Sequence, residues 1–251
     1  MFWLKHKVNT KTISRWKPHA NQDNNAYMKN YLFITLSLIL IQLYPAFGQE
    51  IQSNAWNAFF SDFSLTSSTT IRTEIHYRSV DFYSTTDQIL FRPQIKFKIA
   101  PGVSLTTGYT YVMTNTALGN MTENNIWQQF GFIFPFKKFR FFGWIRTEQR
   151  FIKSPVEKTI FGHRIRFRSG FGVPILEIKR KKIEFIVFNE VFMNFKEGFP
   201  YNYNQNWTLL GFEKKLSNRA TLLSGFQRTL VNGKKGYINK NIWSTIMFYK
   251  L

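Results

Sequence analysis

The chain contains no cysteine among its 251 residues. This absence excludes disulfide bonds, zinc–thiolate sites and a cysteine nucleophile, and it leaves the cellular compartment open. Histidine is scarce as well, since only His76 and His163 follow residue 48. A Ser–His hydrolase needs a serine within hydrogen-bond reach of a histidine, and no serine stands at a recognisable same-face spacing from His76. With no glycine-rich phosphate loop and no cluster of metal ligands, the sequence makes no positive case for an enzyme or for a cofactor.

Long apolar runs are also missing. The run Tyr31–Leu43 has 13 residues, whereas a membrane-spanning helix needs about 20. It follows Lys29 and precedes Ala46-Phe47-Gly48, so a charged start, a short apolar core and small residues predict a secretory signal peptide over 28–48. We interpret 1–27 as an over-called start or an N-terminal extension, and 49–251 as one outer-membrane β-barrel domain on the arguments below.

Acidic residues are few, with 14 Asp and Glu against 34 Lys and Arg and a formal net charge of +20. The basic residues are spread at alternate positions and are not gathered on one helix or stripe, which argues against nucleic acid as a partner. The charge indicates either affinity for polyanions, such as lipid headgroups and lipopolysaccharide, or an arginine-lined interior combined with basic turns.

Phenylalanine, by contrast, is abundant, with 28 residues that recur in alternating segments. In Arg140–Phe151 and Phe161–Phe171 the charged residues keep to one parity, and the other parity is rich in apolar residues. These apolar residues are Phe141, Ile145 and Phe151 in the first segment and Phe161, Ile165, Phe167 and Phe171 in the second. Strict alternation predicts β-strands, because successive side chains leave opposite faces of the strand. A soluble sandwich would bury the phenylalanine face, whereas a membrane barrel would turn it to lipid and keep the charges in its lumen. Only a closed barrel fits lipid, because an open edge would leave backbone groups unpaired.

Eleven segments have strand character, and most are nearer the length of membrane strands (about 9–11 residues) than of soluble ones (about 5–6). Bacterial single-chain barrels have even strand numbers, so we expect a closed antiparallel transmembrane barrel of about ten strands, or twelve, with Asn54–Ser64 as the weakest candidate. We also expect short periplasmic turns and longer outer loops. The eleven segments are Asn54–Ser64, Thr69–Val80, Gln88–Ile99, Val103–Thr114, Asn124–Phe134, Phe139–Phe151, Ile160–Val173, Ile183–Phe195, Tyr203–Lys214, Ala220–Thr229 and Asn241–Lys250. The predicted longer loops are Asp81–Asp87, Asn115–Glu123, Lys153–Thr159, Lys196–Asn202 and Leu230–Lys240.

The charged face of these strands is the candidate site. A buried charge is costly unless it is paired and hydrogen-bonded, and arginine can hold a carboxylate with two bonds. We therefore predict a lattice of paired charges that fills the lumen, with a narrow anion-attracting pore as the alternative. Its predicted members are Arg72, Glu74, His76, Arg78, Arg146, Glu148, Arg150, Arg164, Arg166, Arg168, Glu184 and Glu190. Aromatic girdles at the membrane surfaces are predicted from Tyr109, Tyr111, Trp127, Tyr201, Tyr203, Trp207, Trp243 and Tyr249.

Several short motifs resemble those of a family of outer-membrane barrels catalogued as the domain of unknown function DUF2490. The most specific are Arg146–Phe151 (RTEQRF) and Arg164–Arg168 (RIRFR). The others are Trp56, Glu74–Arg78, Arg92-Pro93, Gly108–Tyr111, Trp127–Gln129, Asn189-Glu190, Gln205-Asn206 and Leu210-Gly211. The resemblance implies a membrane and a fold, and it brings no activity and no catalytic residues.

Together these observations predict a protein that a signal peptide exports to the outer membrane of a Gram-negative bacterium, where it has a structural or interaction role. The expected partners are outer-membrane lipid, lipopolysaccharide and, during biogenesis, the barrel-assembly machinery; the oligomeric state is left open. The alternatives are an outer-membrane lipid-modifying hydrolase and a narrow anion channel.

Overall fold

The computed structural model describes residues 50–156, 158–178, 181–195, 202–233 and 236–251. Within them, eleven strands form one closed barrel. No helix in this part of the chain is long and apolar enough to cross a membrane. The predicted signal peptide over 28–48 and the stretch 1–27 lie outside the described residues, so both stay predictions.

The strands are 12 to 19 residues long. In chain order they are β1 (Glu50–Ser64), β2 (Thr69–Val80), β3 (Thr85–Ala100), β4 (Val103–Thr116), β5 (Gly119–Phe136), β6 (Phe139–Lys153), β7 (Ile160–Ile178), β8 (Lys181–Asn194), β9 (Tyr203–Lys215), β10 (Ala220–Gly233) and β11 (Gly236–Lys250).

Each strand pairs antiparallel with its neighbour in sequence, but β1 closes the barrel by pairing parallel with β11, from Glu50↔Ile238 to Asp62↔Lys250. This follows from the odd strand number, because strands that alternate in direction leave the first and the eleventh running the same way. The prediction of ten or twelve strands, all antiparallel, is therefore wrong. The segment predicted to be weakest is a full strand paired along both edges. It looked weak because its inward residues include Trp56, Ala58 and Phe60, which do not produce the charged alternation of the other strands.

The connections divide into two ends of the barrel. The turn end holds 65–68, 101–102, 137–138 and 216–219, and the loop end holds 81–84, 117–118, 154–156 and 158–159. Two of the predicted longer loops are wrong. Most of Asn115–Glu123 belongs to the β4–β5 hairpin, and β10 and β11 extend through most of Leu230–Lys240. Most residues of the first segment are small or polar, and Asn232–Gly236 interrupt the apolar residues of the second, so the alternation that marks a strand in sequence is weak there.

Burial follows the alternation seen in the sequence. On β2 and β7, Ile75 and Phe167 are exposed on the outer wall at 51% and 42%, whereas Glu74 and Arg166 are buried on the other face. Glycine allows close packing inside. A Cβ on Gly108 would lie 2.4 Å from the ring of Trp127, its partner on β5, so this position makes room for a large inward side chain.

Candidate functional site

Aromatic and guanidinium groups meet across the interior of the barrel. The rings of Trp56 on β1 and Trp207 on β9 contact edge to face, with centroids 5.1 Å apart. In the barrel order β11 and β10 lie between these two strands, so the contact crosses the lumen. The guanidinium carbon of Arg78 lies 4.1 Å from the ring centroid of Trp56 and 5.4 Å from that of Trp207. Large side chains therefore meet inside the lumen at this height.

The same packing continues to the far wall. Arg166 lies 4.3 Å from the ring centroid of Phe192 and 5.2 Å from that of Trp144, and Arg146 lies 4.8 Å from Trp144 and 3.9 Å from Trp127. The rings of Phe192 and Trp207 are 4.6 Å apart. Contacts between a cation and a ring contribute about 0.5–2 kcal/mol each, more when water is excluded. We call this row the tryptophan–arginine stack; its members are Trp127, Arg146, Trp144, Arg166, Phe192, Trp207, Arg78 and Trp56.

Two tryptophans of this stack were predicted for the aromatic girdles, and that prediction is wrong. Trp127 is fully buried, and its Nε1 donates a 3.0 Å hydrogen bond to the Oγ1 of Thr110. Trp207 makes the cross-lumen contacts. The exposed aromatic residues of the outer wall include Tyr109 and Trp243, whereas Tyr201 lies outside the described residues. From sequence, a tryptophan of the girdle can be distinguished from one in the lumen only by its parity relative to the neighbouring charged residues.

Two buried carboxylates separate the three arginines of β7. Glu148 on β6 is 2% exposed, and its Oε1 lies 2.8 Å from Arg166 while its Oε2 lies 2.5 Å from Arg164. Glu190 on β8 is fully buried and pairs with both Arg166 and Arg168. Arg166 thus bridges the two carboxylates. The positive charges of the three arginines on β7 are separated by one acid from each neighbouring strand.

Other predicted members of the lattice form smaller groups. Glu74 accepts hydrogen bonds from Arg92 at 2.8 Å and from Gln94 at 2.6 Å, and it lies 3.0 Å from the Nε2 of His76. Glu184 lies 2.9 Å from Arg140. The Glu74 group is linked to the tryptophan–arginine stack, because Arg92 and Trp127 both donate hydrogen bonds to the Oγ1 of Thr110.

Three further acids bind arginines of the lumen and were not among the predicted members of the lattice. Asp62 pairs with Arg72 through two bonds of 2.5 and 2.7 Å. Glu123, which the sequence placed in a loop, holds Arg150 through bonds of 2.5 and 2.8 Å. Glu213 lies 3.0 Å from Arg140. Parity on β1 and β9 relative to the charges of the adjoining strands could have found Asp62 and Glu213.

Arg78 differs from the other predicted arginines, because no carboxylate of the described residues forms an ion pair with it. Its Nη1 donates to the Oε1 of Gln88 at 2.8 Å, and its guanidinium group lies against Trp56 and Trp207. Around the stack, six guanidinium groups face three carboxylates. The guanidinium groups belong to Arg78, Arg92, Arg146, Arg164, Arg166 and Arg168, and the carboxylates to Glu74, Glu148 and Glu190.

This arrangement places aromatic rings and an excess of positive charge inside the lumen. The described contacts of His76 are with Glu74 and, through its ring, with Phe60 at 5.4 Å between centroids, and neither supplies a serine hydroxyl. In the part of the chain that the structure describes, no three His, Asp or Glu side chains are placed to hold a metal ion.

Three comparisons relate the chain to known proteins. A family model described as "Protein of unknown function (DUF2490)" matches residues 53–240. A comparison with curated proteins finds no match. Among solved structures, the chain is similar to the translocator domain of autotransporter NalP from Neisseria meningitidis, with 12% sequence identity and a TM-score of 0.43 over 86% of this chain and 94% of that chain.

Proposed function

The chain belongs to the DUF2490 family, and from that premise we propose that it is an outer-membrane barrel of a Gram-negative bacterium whose lumen is closed by paired charges. Its role is then structural, or one of interaction at the membrane surface, and does not consist in passing solutes. The observation that carries this proposal is the contact between Trp56 and Trp207 across the lumen, continued to the far wall by the tryptophan–arginine stack.

The composition of the outer wall supports a lipid environment. Large apolar side chains are exposed on strand after strand, among them Phe91, Phe130, Phe141, Phe167 and Phe212 at 41–52%. Soluble monomers rarely expose contiguous apolar patches beyond a few hundred Å², whereas membrane barrels present an outward apolar band. The partners we propose are therefore outer-membrane lipid, lipopolysaccharide and, during biogenesis, the barrel-assembly machinery; the net charge of +20 favours the anionic headgroups among these.

Cell fractionation combined with gel mobility tests the membrane proposal. We expect the protein in the outer-membrane fraction, with an apparent mass that changes when the sample is boiled, because a folded barrel resists detergent until it is heated. A soluble periplasmic fraction without such a shift would contradict the proposal.

A further inference from the structure

Three neighbouring lumen residues carry buried polar atoms that lack a hydrogen-bond partner among the described residues. They are Nδ2 and Oδ1 of Asn54, Nε1 of Trp56 and Nε of Arg78. Trp56 and Arg78 stand directly opposite each other in the pairing of β1 with β2, and Asn54 is the next inward residue along β1. Four unpaired atoms therefore share one patch of the inner wall, whereas Asn125, Arg146 and Asn194 carry one such atom each elsewhere in the barrel.

Their chemistry restricts what can satisfy them. The indole N–H and the guanidinium N–H are donors only, so each requires an acceptor. A buried polar group without a partner is costly, and a buried charge is costlier still unless it is paired. Arg78 forms no ion pair with a carboxylate of the described residues. The positive charges of Arg92 and Arg166 act on it, and the negative charge of Asp87 opposes them only in part. The patch therefore holds more N–H donors than acceptors, since its unpaired acceptor is the Oδ1 of Asn54, and no carboxylate is bound directly to its guanidinium group.

We propose that this patch is a binding site for a small oxyanion, a carboxylate or a phosphate group, held by Asn54, Trp56 and Arg78. An oxyanion would accept hydrogen bonds from the N–H groups of these side chains and would give the guanidinium group a directly bound negative charge. Bonds between ionised groups are roughly twice as strong as neutral ones. A water molecule could accept the same bonds but would leave the charge unbalanced.

The donor atoms of the patch are buried, but parts of two of its side chains are exposed. Trp56 and Arg78 are partly exposed as whole residues, whereas Asn54 is 1% exposed. Toward the loop end, Gln88 binds both Arg78 and Thr114, and the pair Lys240–Asp87 at 3.8 Å retains 17–22% exposure of its side chains. Binding at this site does not depend on which membrane surrounds the barrel. The binding proposal is therefore tested independently of the proposed localisation.

Titration of the full-length protein folded in detergent tests the site. Inorganic phosphate, acetate and chloride are added at equal ionic strength, and the thermal unfolding midpoint is measured. A ligand that binds only the folded state raises the midpoint as its concentration exceeds the dissociation constant. We expect a saturable rise with phosphate or with acetate that chloride does not produce, and the more effective of the two identifies the group that the site prefers.

Variants locate the binding. Trp56→Phe keeps a ring over Arg78 but removes the N–H donor, so it should raise the half-saturating concentration about tenfold, the loss expected for one hydrogen bond to a charged group. Arg78→Gln should abolish the rise, and Trp243→Phe, on the outer wall, should not change it. An equal response to phosphate, acetate and chloride, or an unchanged titration in Trp56→Phe, would overturn the proposal. If Arg78→Gln does not fold, the comparison of Trp56→Phe with Trp243→Phe decides.

Discussion

Replacing Glu148 by glutamine removes the carboxylate on which two buried arginines of β7 depend. Arg166 keeps a partner in Glu190, but Arg164 loses the acid that the structure gives it, since its ion pair is with Glu148. Removing one partner of a buried pair leaves an uncompensated charge and typically costs 3–5 kcal/mol. Glu148 is 2% exposed, so water can relieve little of this. We therefore expect Glu148→Gln to lower the free energy of unfolding by about 3–5 kcal/mol.

The assay is urea unfolding of the protein in bilayers or detergent, followed by tryptophan fluorescence. The matched control is Glu177→Gln, which removes the same charge at an exposed position without an ion pair in the described residues. Because Arg164 is the group left unpaired, adding Arg164→Met to Glu148→Gln should cost clearly less than the two single changes summed. If Glu148→Gln unfolds at the same urea concentration as Glu177→Gln, the lumen is hydrated and the pairing does not stabilise the barrel.

Three further predictions concern the wall, the packing and the N-terminus. Phe167→Lys should cost about 2–4 kcal/mol if the site lies near the membrane midplane, whereas Leu118→Lys, in an exposed connection, should cost little; equal folding yields in bilayers would be inconsistent with the assigned faces. Gly108→Ala should lower the free energy of unfolding by about 1–3 kcal/mol through overpacking against Trp127. An unchanged urea midpoint would show that the ring does not occupy that space. The exported protein should begin at Gln49, which intact-mass measurement checks; a start far from this residue would rule out the predicted cleavage.

Much of the fold could be predicted from side-chain parity alone. Charges on β2, β6 and β7 keep to one parity, as in Arg72 to Arg78 and in Arg164 to Arg168, and a single local period determines which face each residue takes. Pairing of neighbouring strands follows from short connections. The strand number could not be predicted this way, because closure by β1 and β11 joins segments at opposite ends of the chain and depends on backbone pairing that alternation does not encode.

Parity also predicted which residues line the lumen, but not how they contact one another. Parity placed Glu148 and Arg166 on the inner face, but a local pattern does not say which groups meet across the interior. The contact of Trp56 with Trp207 depends on the barrel's diameter and on the relative height of β1 and β9, which are set by strand number and register together. Arg78 looked like any other arginine of the charged face, and only the arrangement of its neighbours shows that it has no acid partner.

Conductance of the folded protein in planar lipid bilayers tests most directly the claim that the stack closes the lumen. The account predicts no steady current through the wild-type protein, and it predicts that Trp207→Gly, which removes the central ring of the stack, opens a measurable one. A stable, ohmic current through the wild-type protein, especially one selective for anions, would contradict a closed lumen and would favour a narrow anion channel.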